Sequence, residues 1–530
     1  MGDLFEDLLS PDAYPEPRPA SIERRDTHIS AVYLAGDDVY KVKKPVDFGF
    51  LDFSSHPKRW EACEAEVQLN RRLAEGTYLD VAPIARGPDG KHRIHGPGAI
   101  VEHAVHMRRL PDAERADIRI ARGALGPAEI ERVAKTIARF HAACRSDERT
   151  AHFGGPEIIR VNVVENFTQT REVLDHYLSP EDAQEIERYQ LSVLTERAAT
   201  FEARCARGAV RDGHGDLRLE HCYLRPDGAV TILDCIEFND RFRFADVACD
   251  LAFLTMDLAH HRRVDLAEHL LAVYAREAND FDLYGVVDFY ESYRAYVRAK
   301  IATFLAENRD APIAMREEAA AEARRYFLLA LAARRTSALR PEVIAVGGLL
   351  AAGKSTLAGW ISAQTGAPIV DADRTRKHMI GVEATTHVND GAWSGAYDKN
   401  FTRKVYEEVL RRAEVVLASG RPIVIDASFR SAWMRLAAHA LAKRYDVPFT
   451  FVECRAPAEI CKARLAEREA RGDSVSDGRV AIFDDFAKAW EPVVELPSHE
   501  HTIADTSLTE RETHRRIRAH IATWPRGLAG

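Results

Sequence analysis

One stretch late in the chain restricts the folds open to it more than any other: Val343-Ile344-Ala345-Val346-Gly347-Gly348-Leu349-Leu350-Ala351-Ala352-Gly353-Lys354-Ser355-Thr356. An apolar run of strand type enters a glycine turn, and a helical pattern leaves it. Gly348, four intervening residues and then Gly353-Lys354-Ser355 fit a phosphate-binding loop. Backbone N–H groups must wrap an anionic phosphate, so the loop needs little bulk. The following helix points its positive end at the same phosphates. Gly348, Leu349, Leu350, Ala351, Ala352, Gly353, Lys354, Ser355 and Thr356 are therefore expected to hold a nucleoside triphosphate. Lys354 reaches the β- and γ-phosphates in this reading, and the Ser355 hydroxyl holds Mg²⁺.

The residues after the loop read as one α/β domain with a mostly parallel sheet. Ile369-Val370 is a short strand ending in Asp371-Ala372-Asp373-Arg374-Thr375-Arg376-Lys377. Residues just past strand ends face the ligand crevice in doubly wound sheets. An Asp there takes a proton from a substrate hydroxyl, and an Arg holds the substrate or the moving phosphate. A helix N-cap aspartate followed by a basic turn fits the same residues equally well. Ile423-Val424-Ile425 ends in Asp426, where a phosphate-loop enzyme keeps its Mg²⁺-associated acid. Pro448 to Glu453 is a further apolar strand, and a basic helix with Arg464, Arg468 and Arg471 follows. The polar stretch from Gly472 to Asp477 reads as mobile, with the arginines as a lid over the phosphoryl group. A solvated helix with charge pairs one turn apart is the plainer alternative. Thr502 to Thr506 is a last strand and turn, expected near the adenine.

A chain of 530 residues has room for two to four domains at ~100–200 residues each. The net charge of -9 argues against a nonspecific nucleic-acid coat. Eight cysteines are scattered without a C-x-x-C pair, so neither a zinc site nor a disulfide framework is indicated, and a reducing cytoplasm fits best. The acidic, proline-rich start lacks the basic and apolar regions of a signal peptide. No apolar run approaches the ~18 residues of a membrane span, so no membrane partner is expected.

The first half opens with residues 1–25, read as a flexible or loosely docked leader. His28 to Leu34 and Val39 to Lys43 form a hairpin across Ala35-Gly36-Asp37-Asp38. Lys41 and Lys43 share one face, Tyr40 and Val42 the other. Lys41 suits two readings: a lysine gripping the phosphates of ATP, or a protective lysine on a solvated edge strand. The helical pattern from Lys58 to Ala74 carries Glu64 and Glu66, and Glu66 is the preferred partner for that lysine. His103, His106, His141 and His152 read as structural or solvent-facing. Asp216 follows His214-Gly215, and Asp234 ends the strand Ala229 to Leu233. Two carboxylates converging on one cleft suit phosphoryl transfer, one for the attacking hydroxyl and one for Mg²⁺; a pair of turn aspartates is the structural alternative. Helical patterns fill 253–335, and Thr336 to Pro341 reads as the linker between a domain at 26–335 and one at 342–530.

His214-Gly215-Asp216, Ile232-Leu233-Asp234 and Asp246-Val247-Ala248-Cys249-Asp250-Leu251-Ala252 resemble the aminoglycoside phosphotransferase family, whose fold is α+β and protein-kinase-like. The resemblance implies Asp216 as base, Asp234 as metal ligand, Lys41 as the phosphate-gripping lysine, and Asp246 and Asp250 as braces of the catalytic loop. The family carries Asn five residues after the base; here His221 stands in that metal-ligand position. Imidazole is a poor partner for Mg²⁺. Metal binding then rests on Asp234 alone, or on another ion, or the lobe is catalytically weak. Gly348 to Ser355, Asp373 to Lys377, Val424 to Phe429 and the basic lid resemble the small P-loop kinases of the polynucleotide-kinase and zeta-toxin-like group. By that likeness Asp373 is the base, Arg376 a substrate clamp, and Arg464 and Arg468 lid arginines. Together the halves resemble bacterial fusions of a phosphotransferase-like domain with a P-loop kinase or AAA-family ATPase.

The expectation is an ATP- and Mg²⁺-dependent phosphotransferase with two nucleotide sites and a hydroxyl-bearing acceptor. A small polar metabolite is the first acceptor expected, an RNA or DNA end the second. A non-catalytic, regulatory first lobe is the competing reading. A ring-forming switch ATPase is a third, disfavoured by the kinase-type lid.

Overall fold

The computed structural model describes residues 2–49, 51–333, 339–388, 393–471, 475 and 477–521. The chain forms two compact units, Met1–Leu174 with Gln190–Asp257, and Asp175–Tyr189 with Leu258–Gly530. Of the expected linker at 336–341, residues 336–338 lie outside the described residues.

In the first unit, β1 (Ile22–Asp26), β2 (Ser30–Ala35), β3 (Asp38–Lys43), β4 (Tyr78–Arg86), β5 (His92–Ile94) and β6 (Ala99–Arg108) form one antiparallel sheet. Its order is β1-β2-β3-β6-β4-β5. The expected hairpin is β2–β3, closed by Gly36 at φ +67°, a turn conformation that suits glycine. Strand alternation then divides β3 between two cores. Tyr40 and Val42 join Tyr33, Ala82, Ile84 and Ala104 on one face. Val39 joins Leu34, Tyr78, Val105 and Met107 on the other, against Cys63 and Val67 of the helix His56–Asn70. Lys41 and Lys43 therefore point toward that helix.

The N-terminal residues depart from expectation. The helix Gly2–Asp7 and the turn after it bury Leu4, Leu8, Ala13 and Tyr14 against the Tyr33 and Tyr40 face of the sheet. Leu4 and Leu8 stand one helical turn apart, and their burial fixes a segment whose acidic, proline-rich composition suggests a loose one. The Tyr14 hydroxyl donates to the Leu8 carbonyl at 2.7 Å, and the Tyr33 hydroxyl to that of Phe5 at 2.9 Å.

The rest of this unit is largely helical, with Pro127–Ala143, Pro156–Thr170 and Ala198–Ala206. Two short antiparallel pairs carry its polar loops: β7 (Val210–Asp212) with β10 (Phe244–Asp246), and β8 (Cys222–Leu224) with β9 (Val230–Ile232).

The second unit holds a five-stranded parallel sheet: β11 (Val343–Gly348), β12 (Ile369–Asp371), β13 (Ile423–Asp426), β14 (Phe449–Arg455) and β15 (His501–Asp505), in the order β12-β13-β11-β14-β15. Every residue of β11, β12 and β13 is buried, as continuous apolar runs require in a sheet covered on both faces. Helices Lys354–Thr365, Lys399–Ala418 and Ala432–Arg444 pack on it. The helices Val264–Glu277, Val287–Glu307 and Ile313–Ala332 belong to the same unit. A buried cation ties them in: Arg421, just before β13, meets Glu268 at 2.8 Å and Asp288 at 2.8 Å. Among the described residues no helix is long and apolar enough to cross a membrane.

Candidate active sites

The loop after β11 is rigidly built. Gly348 has φ +144°, and a Cβ there would meet the Cys454 carbonyl oxygen at 2.5 Å, so only glycine fits. Gly353, at φ +82°, opens the helix Lys354–Thr365. Ala351 stands between them at φ +54°, in the left-handed region where a side chain is uncommon. Leu349 and Leu350 pack on the hydrophobic core, which holds the loop from beneath. The Thr506 hydroxyl is within 2.9 Å of the Ala352 carbonyl and 3.0 Å of that of Arg455. Arg464 donates to the Thr506 carbonyl at 2.7 Å and to the Ala351 carbonyl at 3.4 Å. Lys354 lies back over the loop and donates to the Leu349 carbonyl at 2.8 Å.

Three carboxylates gather beside this lysine. Asp371 and Asp426 end adjoining strands in register. Asp371 caps the helix Ala372–Met379, accepting from the N–H groups of Asp373 and Arg374 at 2.8 and 2.9 Å. Asp371 and Asp373 both line the cavity with Lys354, Ser355, Asp426 and Arg376, but only Asp371 is engaged as the helix cap. Burial, reinforced by Asp371, pushes the Asp426 carboxyl up to about 7, against the opposing pull of Lys354 and a hydrogen bond from Ser355. Burial and Asp371 likewise raise Asp373, opposed by Arg376 and Lys354. Crowded acids beside a hydroxyl make an all-oxygen donor set, which fits Mg²⁺; Ser355 and Asp426 would hold it.

Cations frame the far wall. Arg376 is buried, with its guanidinium 4.5 Å from the Tyr397 ring centroid and a hydrogen bond to the Ala396 carbonyl. Arg430 lies 4.1 Å from the Trp393 centroid. Arg468 lines this cavity and a second one, with Thr356, Thr506, Thr513 and His514. Trp360 stacks on His514 at 4.3 Å beside that second cavity, which lies where the base was expected. Arg464 and Arg468 share a helix yet differ: Arg464 is spent on loop carbonyls. The stretch expected to move is also partly fixed. Asp477 is buried, accepting from the Tyr397 hydroxyl at 2.8 Å and pairing with Lys377 at 3.2 Å. Residues 472–474 and 476 lie outside the described residues.

In the first unit the structure brings Lys41, Glu66, Asp234, His221 and Asp216 together. Lys41 Nζ is 2.9 Å from Glu66 and 2.8 Å from Asp234. Glu66, not Glu64, faces the strand. Lys43 also reaches Glu66, at 2.7 Å, and pairs with Glu237. Burial alone would depress the Lys41 ammonium, but Asp234 and Glu66 outweigh it and hold its pKa well above the lysine range. Burial raises the Asp234 carboxyl, and Lys41 and His221 more than reverse that, leaving it below the usual carboxylate range.

Asp216 sits in a loop clamped from behind. Asp250 accepts from the N–H groups of His214 and Gly215 at 2.7 and 2.8 Å. Asp246 instead holds the buried Arg204, at 2.6 and 2.7 Å. In front, Arg218 forks onto both Asp216 oxygens at 3.0 Å each. His221 donates from Nδ1 to the Asp216 carbonyl at 2.8 Å, and its Nε2 lies 3.7 Å from Asp234. One carboxylate already paired to lysine and one imidazole do not fit Mg²⁺, which favours oxygen ligands. Sequence reasoning missed Arg218 and Glu237; the proximity of Arg218 to Asp216 in the chain was the available signal.

Residues 343–493 match a family model described as an AAA domain. The chain is 32% identical over 470 residues, 89% of this chain and 91% of the relative, to uncharacterized protein Rv2004c of Mycobacterium tuberculosis (strain ATCC 25618 / H37Rv). The same figures hold for uncharacterized protein Mb2027c of Mycobacterium bovis. The chain belongs to this family. In this chain residues 343–493 form the AAA-type P-loop domain, in the unit with the five-stranded parallel sheet. Distant likenesses exist to solved structures. The GDP complex of wild-type aminoglycoside 2'-phosphotransferase-IIIa has 13% identity and a TM-score of 0.38, over 62% of this chain and 99% of that one. A gluconokinase from Sinorhizobium meliloti 1021 has 18% identity and a TM-score of 0.25, over 36% of this chain and 93% of that one.

Proposed function

We propose that the protein is an ATP- and Mg²⁺-dependent phosphotransferase, with group transfer in the P-loop unit and a hydroxyl of a small polar metabolite as acceptor. One observation carries this reading: Asp373, with its carboxyl raised, shares a cavity with Lys354, Ser355, Asp426 and Arg376. A carboxyl whose pKa is raised by burial is a better acceptor for a hydroxyl proton. The loop amides and Lys354 hold the β- and γ-phosphates. Arg376, fixed over Tyr397, orients the acceptor, and Arg468 faces the charge that develops on the moving group. The acceptor oxygen bonds to the γ-phosphorus as the bond to the bridging β–γ oxygen breaks; ADP leaves and the hydroxyl proton passes to Asp373. Mg²⁺ held by Ser355 and Asp426 would neutralise phosphate charge. Arg464 acts as a positioning residue for the loop.

A second reading concerns the first unit. Lys41 and Glu66 suit a phosphate tail, but Arg218 occupies Asp216 and His221 stands where an oxygen ligand is needed. These two features favour a binding or regulatory module there over a second transferase. We keep 26–335 and 342–530 as the functional division, and the chemistry suits a reducing, cytoplasmic setting.

The test is a panel of hydroxylated metabolites and 5′-hydroxyl oligonucleotides with labelled ATP. A labelled metabolite, lost in Lys354→Ala and kept in Asp216→Ala, is expected. Label in the oligonucleotide alone overturns the acceptor assignment, and full activity in Lys354→Ala overturns the site.

A further inference from the structure

Away from both phosphate sites, His56, Glu102 and His103 converge in the first unit, with ligand atoms all within 4.8 Å of one another. His56 opens the helix that carries Glu66, while Glu102 and His103 are neighbours on β6. Neighbours on a regular strand point to opposite faces. Here the pairing with β4 slips between Ile84 and Ala85, opposite Glu102 and Ile100, and such an irregularity re-aims side chains. His56 Nε2 stands 3.0 Å from His103 Nδ1 and 4.0 Å from Glu102 Oε1. Ligand nitrogens of a tetrahedral ion with bonds of 2.0–2.1 Å lie roughly 3.3 Å apart, so the imidazoles are already near that spacing.

The carboxylate is held in advance. Arg59 Nε and Nη2 take Glu102 Oε2 at 2.8 and 2.7 Å, and the His103 N–H donates to Oε1 at 3.1 Å. Oε1 is thereby turned toward the imidazoles, the orienting role that outer partners play around metal ligands. Arg59 also cancels part of the carboxylate charge, so the imidazoles supply most of the attraction. Trp60 backs His103 with ring centroids 5.9 Å apart. His56 is 37% exposed at its side chain, which leaves an entry path and room for a solvent ligand.

We propose that His56, Glu102 and His103 bind one divalent transition-metal ion, fastening the first turn of the Glu66 helix to β6. Two imidazoles and a carboxylate suit Zn²⁺, Co²⁺ or Ni²⁺, whereas Mg²⁺ prefers oxygen alone. His103, read from sequence as structural or solvent-facing, becomes a ligand. Because Glu66 on the same helix meets Lys41 and Lys43, the ion would restrain the element that positions the lysine pair.

The test uses the full chain, free of any histidine tag and saturated with Mg²⁺ to occupy the oxygen site. One equivalent of Co²⁺ is expected to bind, with visible absorption of four- or five-coordinate intensity and quenching of tryptophan fluorescence. Trp60→Phe should lose most of the quenching and keep the absorption. His103→Gln and His56→Ala should each abolish the absorption and the rise in melting temperature with Zn²⁺. His56→Ala alters a part-exposed residue, so it guards against a folding defect in the other variant. Absorption unchanged in both histidine variants, or absent from the wild type, overturns the proposal.

Discussion

The two candidate sites are built from similar residues and balance charge in opposite ways. In the first unit each key acid is in direct ion-pair contact: Asp234 with Lys41, Asp216 with Arg218, and Glu66 with both Lys41 and Lys43. In the second, burial and Asp371 raise Asp426 and Asp373, with Lys354 as a shared counter-charge. A site whose acids are already held in ion pairs gains less from a divalent ion. A site of crowded acids gains much, because the ion relieves repulsion in a medium of low dielectric. The contrast supports the proposal of metal-dependent chemistry in the P-loop unit and a binding or regulatory role for the other.

The sharpest way to break this comparison is to remove one residue from each site. Lys354→Ala should lower labelled-phosphate transfer about a thousandfold, the scale of losing a preorganised charge donor. Asp216→Ala should leave it within roughly twofold, since Asp216 is held by Arg218 and is not among the residues lining the P-loop cavity. Equal losses would mean that both sites transfer phosphate. Next in size is Glu66→Gln. Glu66 is fully buried between two lysines, and removing one charge of a buried network costs about 3–5 kcal/mol. Urea unfolding followed at the first unit should show that loss, with the P-loop transition unmoved. A neutral effect would mean that the lysines find water, and that the network is looser than its distances imply.

These differences were unequally legible in sequence. The P-loop unit announces itself, because apolar strands, a glycine turn and strand-end acids are local patterns with fixed periods. The preference for Glu66 over Glu64 matches the geometry, since the strand-facing side of the helix also carries Cys63 and Val67. Arg218 was invisible as a clamp, because a loop arginine has no periodicity to say where its guanidinium goes. The bond from Arg421 to Glu268 joins residues 153 apart, and only the packed structure brings them together. The docked N-terminus was legible in part: Leu4 and Leu8 are spaced for one helix face, but their target, the tyrosine face of the sheet, was not.

Proton linkage sharpens the comparison next. Asp426 titrates near pH 7, raised from the ordinary carboxylate range. The folded state therefore holds a proton that the unfolded chain has released between about pH 4 and 7. Without a divalent ion, this group makes stability fall as pH rises across that window. Mg²⁺ requires the ionised form, so its apparent affinity should rise about tenfold from pH 6 to pH 8. Calorimetric titration of Mg²⁺ into the nucleotide-bound protein measures this directly. Asp426→Asn should flatten the profile. The first unit offers no comparable response there, because Lys41 and His221 hold Asp234 ionised far below pH 6.

The smallest effect concerns the cradle itself. Ala351 occupies a left-handed conformation at φ +54°, which costs a residue with a Cβ about 1–2 kcal/mol. Glycine removes that strain but adds about 0.5–1 kcal/mol of backbone entropy lost on folding. Ala351→Gly should therefore stabilise by at most about 1.5 kcal/mol, seen as a small rise in melting temperature. Its effect on nucleotide binding discriminates more finely. The Ala351 carbonyl is held by Arg464 and that of Ala352 by Thr506, so the loop keeps its shape when the Cβ is removed. Affinity for ATP should then stay unchanged in Ala351→Gly and fall in Arg464→Ala, where the anchor itself is lost. If Ala351→Gly weakens ATP instead, the alanine itself supplies the stiffness, and the cradle depends on local strain rather than on its buttress.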